Sequence, residues 1–333
     1  MTERPQTVSD GSVVSREAIL TAVMTFLAAE DVSTLAEIRQ SLEQALDAAG
    51  PGALDALGRR LGSTGGGWTY YPPDPLARTI HRTVAERVLR PGSTILGADR
   101  ANALAGRPVV IIGNHLSYSD ANLLEVLLFA SGASDLADRL TAIAGPKVYS
   151  SLKRRFSSLC FGTVRTPQNS ALSSEDAVMS PRDVAAAARQ SIESAHVRLR
   201  RGDALLVYAE GTRSRTRGLQ PLLAGVTRYL ASDDVLVLPI GMVGSETLYP
   251  VGGETLNPVT VIARVGCPGR AGDLRQHAHD NRRLMMDAVG CAIADLLPAE
   301  YRGAYSADVE GLDEARDVAR EVFGAGTPPS GQA

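Results

Sequence analysis

The sequence predicts an α/β fold, a mixed and mostly parallel sheet flanked by helices and preceded by a small N-terminal helical bundle. Three observations carry this expectation. Helical apolar spacing dominates residues 15–62, a glycine-rich break follows at 62–67, and beyond it short apolar runs alternate with helical stretches. With 333 residues, 44% of them hydrophobic and 21% charged, the chain suits one large α/β unit with a smaller accessory piece and is not a disordered protein.

The elements follow in order. Residues 1–14 are polar at the start, lack the apolar stretch of a secretory signal and read as a flexible tail. Ile19, Val23, Phe26 and Leu27, then Leu35, Ile38, Leu42 and Leu46, recur at helical spacing, and Thr34 with Glu37 forms a capping box for the second helix. A third short helix is expected at 53–61 and a fourth at 76–89. Strands are expected at 108–112, 140–144, 159–164, 204–208, 235–240 and 259–265, and helices at 120–129, 183–200, 223–230 and 281–296. Residues 323–333, rich in Gly and Pro, read as a disordered tail. The domain expectation is thus a bundle over 15–62 and an α/β domain over 68–322.

Charge and cysteine usage narrow the function classes. A formal net charge of -3 gives no global attraction for nucleic acid, so phosphate binding must come from local arginines. Cys160, Cys267 and Cys291 lack CxxC pairing, which argues against a disulfide framework and against a zinc site, and no metal is expected. The longest apolar runs fall short of the roughly 20 residues a membrane-spanning helix needs. Surface contact with a membrane needs no such segment. Lys147, Lys153, Arg154 and Arg155 form a basic cluster that reads as a solvated helix face or as a contact for anionic headgroups or a CoA phosphate.

Two motifs carry chemistry. His115 lies just past the apolar run ending Ile111-Ile112-Gly113-Asn114, and Asp120 follows at the expected start of a helix. An imidazole there can take a proton from a hydroxyl while the carboxylate holds its other nitrogen, so the hydroxyl itself becomes the nucleophile. By itself the pair also fits a loop histidine and a helix N-cap. About ninety residues later a strand runs into Glu210, Gly211, Thr212, Arg213, Ser214 and Arg215. Gly211 permits a tight turn, two guanidinium groups one residue apart can clamp a phosphate, and Glu210 can hold them in place. A solvated turn is the plain alternative.

In order and spacing, Asn114-His115 through Asp120 followed by Glu210-Gly211-Thr212-Arg213-Ser214 resembles the first and third signature blocks of the glycerol-phosphate and lysophosphatidic acid acyltransferase superfamily. Phe161-Gly162-Thr163-Val164-Arg165 resembles its second block, without the usual Phe-Ile pair before the arginine, and Val237-Leu238-Pro239-Ile240 its fourth. The resemblance covers roughly residues 76–297. It implies an O-acyltransferase of phospholipid synthesis that moves an acyl group from an acyl-CoA or acyl-carrier-protein thioester to a glycerol-phosphate or lysolipid acceptor. His115 and Asp120 are then catalytic, and Arg165, Glu210, Gly211, Thr212, Arg213 and Arg215 form the substrate-phosphate site. No cofactor is implied beyond the acyl donor as co-substrate. The implied location is cytoplasmic, with room for peripheral contact on the inner face of the membrane. A bundle ahead of the catalytic part resembles the plastid-type glycerol-3-phosphate enzymes. The alternatives are a non-catalytic lipid- or acyl-carrier-binding protein keeping this fold, and an α/β-hydrolase, for which the Gly-x-Ser-x-Gly elbow is missing.

Overall fold

The computed structural model describes residues 13–26, 32–63, 70–145, 149, 151–167, 180–248 and 257–324. In chain order these hold α1 (Arg16–Phe26), α2 (Val32–Gly62), β1 (Tyr70–Tyr71), α3 (Pro75–Val88), β2 (Thr94–Leu96), α4 (Ala98–Asn102), β3 (Val109–Gly113), α5 (Asp120–Ala130), α6 (Ser134–Asp138) and β4 (Leu140–Ala144). They continue with α7 (Leu152–Leu159), β5 (Gly162–Arg165), α8 (Pro181–Arg200), β6 (Ala204–Val207), β7 (Leu236–Val243), β8 (Ile262–Val265), β9 (Gly269–Arg270), α9 (Ala271–His277), α10 (Arg282–Ala294) and α11 (Asp313–Phe323). Among the described residues the fold is mixed α/β, with mostly parallel strands flanked by helices. The chain divides into two compact units, a smaller one of residues 1–88, 143–194 and 253–258 and a larger one of 89–142, 195–252 and 259–333.

In the smaller unit Ile19, Leu20 and Val23 of α1 and Ile38, Leu42 and Leu46 of α2 are buried, the stripe that their spacing predicts. α2 breaks at Gly50, whose φ of 76° no helix tolerates, and Pro51 starts the next segment, so two helices sit where two were expected. It begins at Val32, two residues before Thr34, and so does not start at the expected capping box. The compact units do not follow the expected boundary at 62–67. Leu57 and Leu61 are buried, and α2 packs on α3 and α7, so the N-terminal helices share a unit with residues 143–194. β1 pairs antiparallel with β5, Tyr70 opposite Val164. β5 starts at Gly162 and not at 159, because α7 occupies the chain through Leu159. The basic cluster does not form one exposed face: Arg155 is buried and Arg154 exposed. Leu27, Lys147, residues 64–69 of the glycine-rich break, most of 166–181 and the ends of both expected tails lie outside the described residues.

The larger unit orders its strands β4-β6-β3-β7-β8-β2, with β9 against the start of β7. β4, β6, β3 and β7 run parallel, whereas β8 is antiparallel to β7. Every residue of β3 and β6 is buried, as central parallel strands require. Ile111, Ile112, Leu205, Leu206, Val237 and Leu238 have no exposed surface, and burial of each such side chain stabilises by about 1.5–3 kcal/mol. α10 packs along β7 and β3, and α11 packs on α10 and α9. Residues 224–230, expected as an α-helix, form a 3₁₀ helix instead. Phe323, expected to open the C-terminal tail, closes α11 and is buried.

Candidate active site

The parallel neighbours β6, β3 and β7 end side by side, so the loops that follow them gather at one edge of the sheet, where α/β sites form. β3 delivers His115, β6 delivers Tyr208 and the loop 209–223, and β7 delivers Ser245. Asn114 locks two of these ends together. Its side-chain amide donates to the Met242 carbonyl at 2.8 Å and its carbonyl accepts the Met242 N–H at 2.8 Å, so it completes the ladder as a backbone peptide would.

His115 Nδ1 lies 2.9 Å from Asp120 Oδ2, with the imidazole side chain 17% exposed and the carboxylate not at all. Asp120 opens α5, where the helix N-terminus favours negative charge. Its Oδ2 also accepts the N–H groups of Leu116 and Ser117 at 2.7 and 2.9 Å, and its Oδ1 accepts the Ser245 hydroxyl at 2.7 Å. With Nδ1–H directed at the carboxylate, Nε2 keeps its lone pair and is the nitrogen able to take a proton. The imidazole stacks on the Tyr208 ring. The Tyr208 phenol oxygen is buried without a hydrogen-bond partner among the described residues, and burial, with the Asp120 charge beside it, pushes the phenol well above its ordinary range.

Among the described residues Glu210, expected to hold the arginines, binds backbone N–H groups. Its Oε1 accepts the His115 N–H at 2.6 Å and its Oε2 the Gln220 N–H at 2.8 Å, so the carboxyl ties the backbone of His115 to the far side of the loop. Burial pushes it up from 4.5 to about 7, against the two backbone donors and the charge of His115, which pull it down. The His115 carbonyl in turn accepts the Ser214 N–H at 2.7 Å. Gly211 takes φ 75°, and a Cβ there would lie 2.7 Å from Leu223 Cδ1.

Thr212 and Arg215 are exposed on the loop, and Arg213 stacks its guanidinium 4.5 Å over the Tyr118 ring. A third arginine in the alternating series, Arg217, lies 3.5 Å from Glu246, which also accepts the Tyr301 hydroxyl at 2.6 Å. Leu219 N–H to Tyr301, Ala304 N–H to Leu219 and Leu222 N–H to the Tyr305 hydroxyl brace the loop from outside. Thus His115, Asp120 and 210–215 meet in the larger unit. Arg165 instead ends β5 in the smaller unit, its guanidinium 4.7 Å over the Tyr149 ring. The sequence reading passed over Ser245, Tyr208 as a stacking partner, and Arg217. Only Arg217 had a visible signal, the repeat Arg213-Ser214-Arg215-Thr216-Arg217. Among the described residues no cluster of His, Cys, Asp or Glu suits a metal ion, and no helix is long and apolar enough to cross a membrane.

A histidine–aspartate pair at a strand end beside a loop rich in arginine can take a proton from a hydroxyl near a bound anion. Residues 94–243, a little under half of the chain, match the family model described as Acyltransferase. Among solved structures the chain is similar to the 1-acyl-sn-glycerophosphate (LPA) acyltransferase PlsC from Thermotoga maritima, with 16% identity, 59% of this chain and 71% of that chain covered, and a TM-score of 0.38. No curated protein matches the chain.

Proposed function

We propose that the protein is an O-acyltransferase of phospholipid synthesis that moves a fatty acyl group from an acyl-CoA or acyl-carrier-protein thioester to a hydroxyl of glycerol-3-phosphate or a lysophosphatidic-acid-type acceptor. The observation that carries this reading is the 2.9 Å pairing of His115 with Asp120 at the strand edge that also bears the arginine loop. His115 Nε2 accepts the acceptor's hydroxyl proton as that oxygen attacks the thioester carbonyl. The C–S bond then breaks, and the imidazolium returns the proton to the departing thiolate. Asp120 keeps Nδ1 protonated and balances the imidazolium charge. Arg213 and Arg215, on the braced loop, bind the acceptor's phosphate through charge-assisted hydrogen bonds, with Gly211 and Thr212 shaping the turn. Glu210 sets the height of His115 above the loop, and the assignment of Arg165 to phosphate rests on its motif alone. The acidic chain meets a membrane only through local patches of this kind, on the cytoplasmic side.

The test is thiol release from palmitoyl-CoA and from palmitoyl-acyl-carrier protein by wild type and His115→Ala, each offered glycerol-3-phosphate and lysophosphatidic acid. Acceptor-dependent release that drops by about 10²–10⁴ in the variant is expected. Undiminished release by His115→Ala removes the proposed base. Tight retention of lipid with no thiol release from either donor would mean a binding protein.

A further inference from the structure

Asp120 uses its two oxygens differently. Oδ2 faces His115 Nδ1 and the N–H groups of Leu116 and Ser117, whereas Oδ1 accepts the hydroxyl of Ser245, 125 residues further along the chain. We propose that Ser245 is a positioning residue for the base, which fixes the rotation of the Asp120 carboxylate so that Oδ2 stays aimed at His115. The inference rests on the acyl-transfer reading and adds to it a residue outside both sequence motifs.

A carboxylate turns easily about its Cβ–Cγ bond, because that terminal torsion is broad. Three donors on one oxygen limit the swing; a fourth on the other oxygen, arriving from a different element, locks the plane. Ser245 has no exposed surface, so its hydroxyl needs a partner inside the protein. Neighbouring hydroxyls take local ones. Thr247 donates to the Gly244 carbonyl and Ser214 to the Gly218 carbonyl, each within its own turn. Ser245 instead reaches across to the carboxylate that holds the base.

The backbone is built to put it there. Gly244 takes φ 92°, and a Cβ at that position would lie 2.1 Å from the Thr260 carbonyl oxygen, so the chain leaves β7 through a turn that admits only glycine. The Glu246 carboxylate then accepts the Gly244 N–H at 3.1 Å and closes the 3₁₀ turn that carries Ser245. Asn114, the residue before His115, is clamped to Met242, three residues before Ser245. The base and its distant serine are therefore referenced to the same pair of strand ends.

The experiment compares Ser245→Ala and Ser245→Thr with wild type, with palmitoyl-CoA and the preferred acceptor as substrates and circular dichroism as the check on folding. Loss of the hydroxyl lowers kcat about 10-fold or more with the acceptor KM unchanged, and threonine, which keeps the hydroxyl, restores most of it. In an Asp120→Asn background the alanine change costs nothing further, because the two residues act as a unit. A second measurement needs no acceptor: the downfield proton resonance of His115 Nδ1–H, assigned by its loss in His115→Ala, is displaced in Ser245→Ala and returns in Ser245→Thr. Should Ser245→Ala fail to fold, Ser245→Cys, near in volume with a weaker donor, reads the same quantities. A wild-type kcat and an unmoved resonance in Ser245→Ala overturn the proposal, and if His115→Ala is inactive in the same experiment the acyl-transfer reading still stands. Full activity in His115→Ala sinks that reading instead, while the resonance still decides whether Ser245 orients the pair.

Discussion

The imidazole of His115 lies against the ring of Tyr208, with centroids 4.3 Å apart and planes 13° from parallel. The edge of the imidazole is held by Asp120 and its face by this ring, so neither rotation nor tilt is free. Tyr208→Phe keeps the face and deletes a buried hydroxyl that has no partner among the described residues. We expect kcat close to wild type and stability unchanged or raised by about 1 kcal/mol. Tyr208→Leu removes the aromatic face, and kcat falls about 5-fold, the equivalent of roughly 1 kcal/mol of ring–ring contact at His115. Steady-state kinetics with urea unfolding of both variants checks the pair of outcomes.

Glu210 gives stability a pH dependence with a definite sign. Its carboxyl keeps a proton in the folded protein up to about pH 7, whereas the unfolded chain releases it around 4.5. The folded state therefore binds more protons between these values, and stability falls as pH rises from 4.5 to 7, by up to about 3 kcal/mol at full ionisation. Glu210→Gln abolishes this component. It also sets an amide NH2 against one of the two backbone N–H groups that the carboxyl accepts, so activity drops as well. Melting midpoints at pH 5 and pH 8 should differ more for wild type than for the variant; equal differences would count against the assignment.

Asn114 closes the β3–β7 ladder with one donor and one acceptor, and the two chemistries cannot be exchanged. Asn114→Asp turns an oxygen towards the Met242 carbonyl in a site with about 1% exposure. We expect a loss of about 2–4 kcal/mol, larger than the roughly 1–3 kcal/mol for Asn114→Ala, because the alanine leaves unmet partners but adds no buried charge. Denaturant midpoints rank the two.

At Gly211 the left-handed backbone and the Leu223 methyl both exclude a side chain. Gly211→Ala costs about 1–2 kcal/mol of backbone strain and displaces the turn that presents Arg213 and Arg215. A rise in acceptor KM is expected, with a smaller change in kcat. A variant that loses kcat alone would place the turn's role at the base.

Fold class was legible because the central strands are continuous apolar runs of four to eight residues. The run 140–144 matches β4 at both ends, and β3, β6, β7 and β8 lie within the expected runs or a few residues of them. β1, β2 and β9 were missed because two or three residues show no period. His115 and Asp120 were legible because the residues that meet in space are five apart in sequence, within one loop and the first turn of a helix. Ser245 was not, since its contact exists only once β7 lies beside β3. Glu210 shows the third case: its place in the site could be read, but its partners could not, because they are backbone groups that any residue carries.

The peptide flanking His115 is claimed on both sides by the same loop, its N–H by Glu210 and its carbonyl by the N–H of Ser214. On the proposed acyl-transfer reading, substrate choice and turnover are therefore inherited together. A loop transplanted from a relative to change the acceptor would bring its own setting of the base with it. Directed evolution should find acceptor-switching changes in Thr212, Arg213 and Arg215, which supply neither partner of that tie, long before it finds them in Glu210 or Ser214.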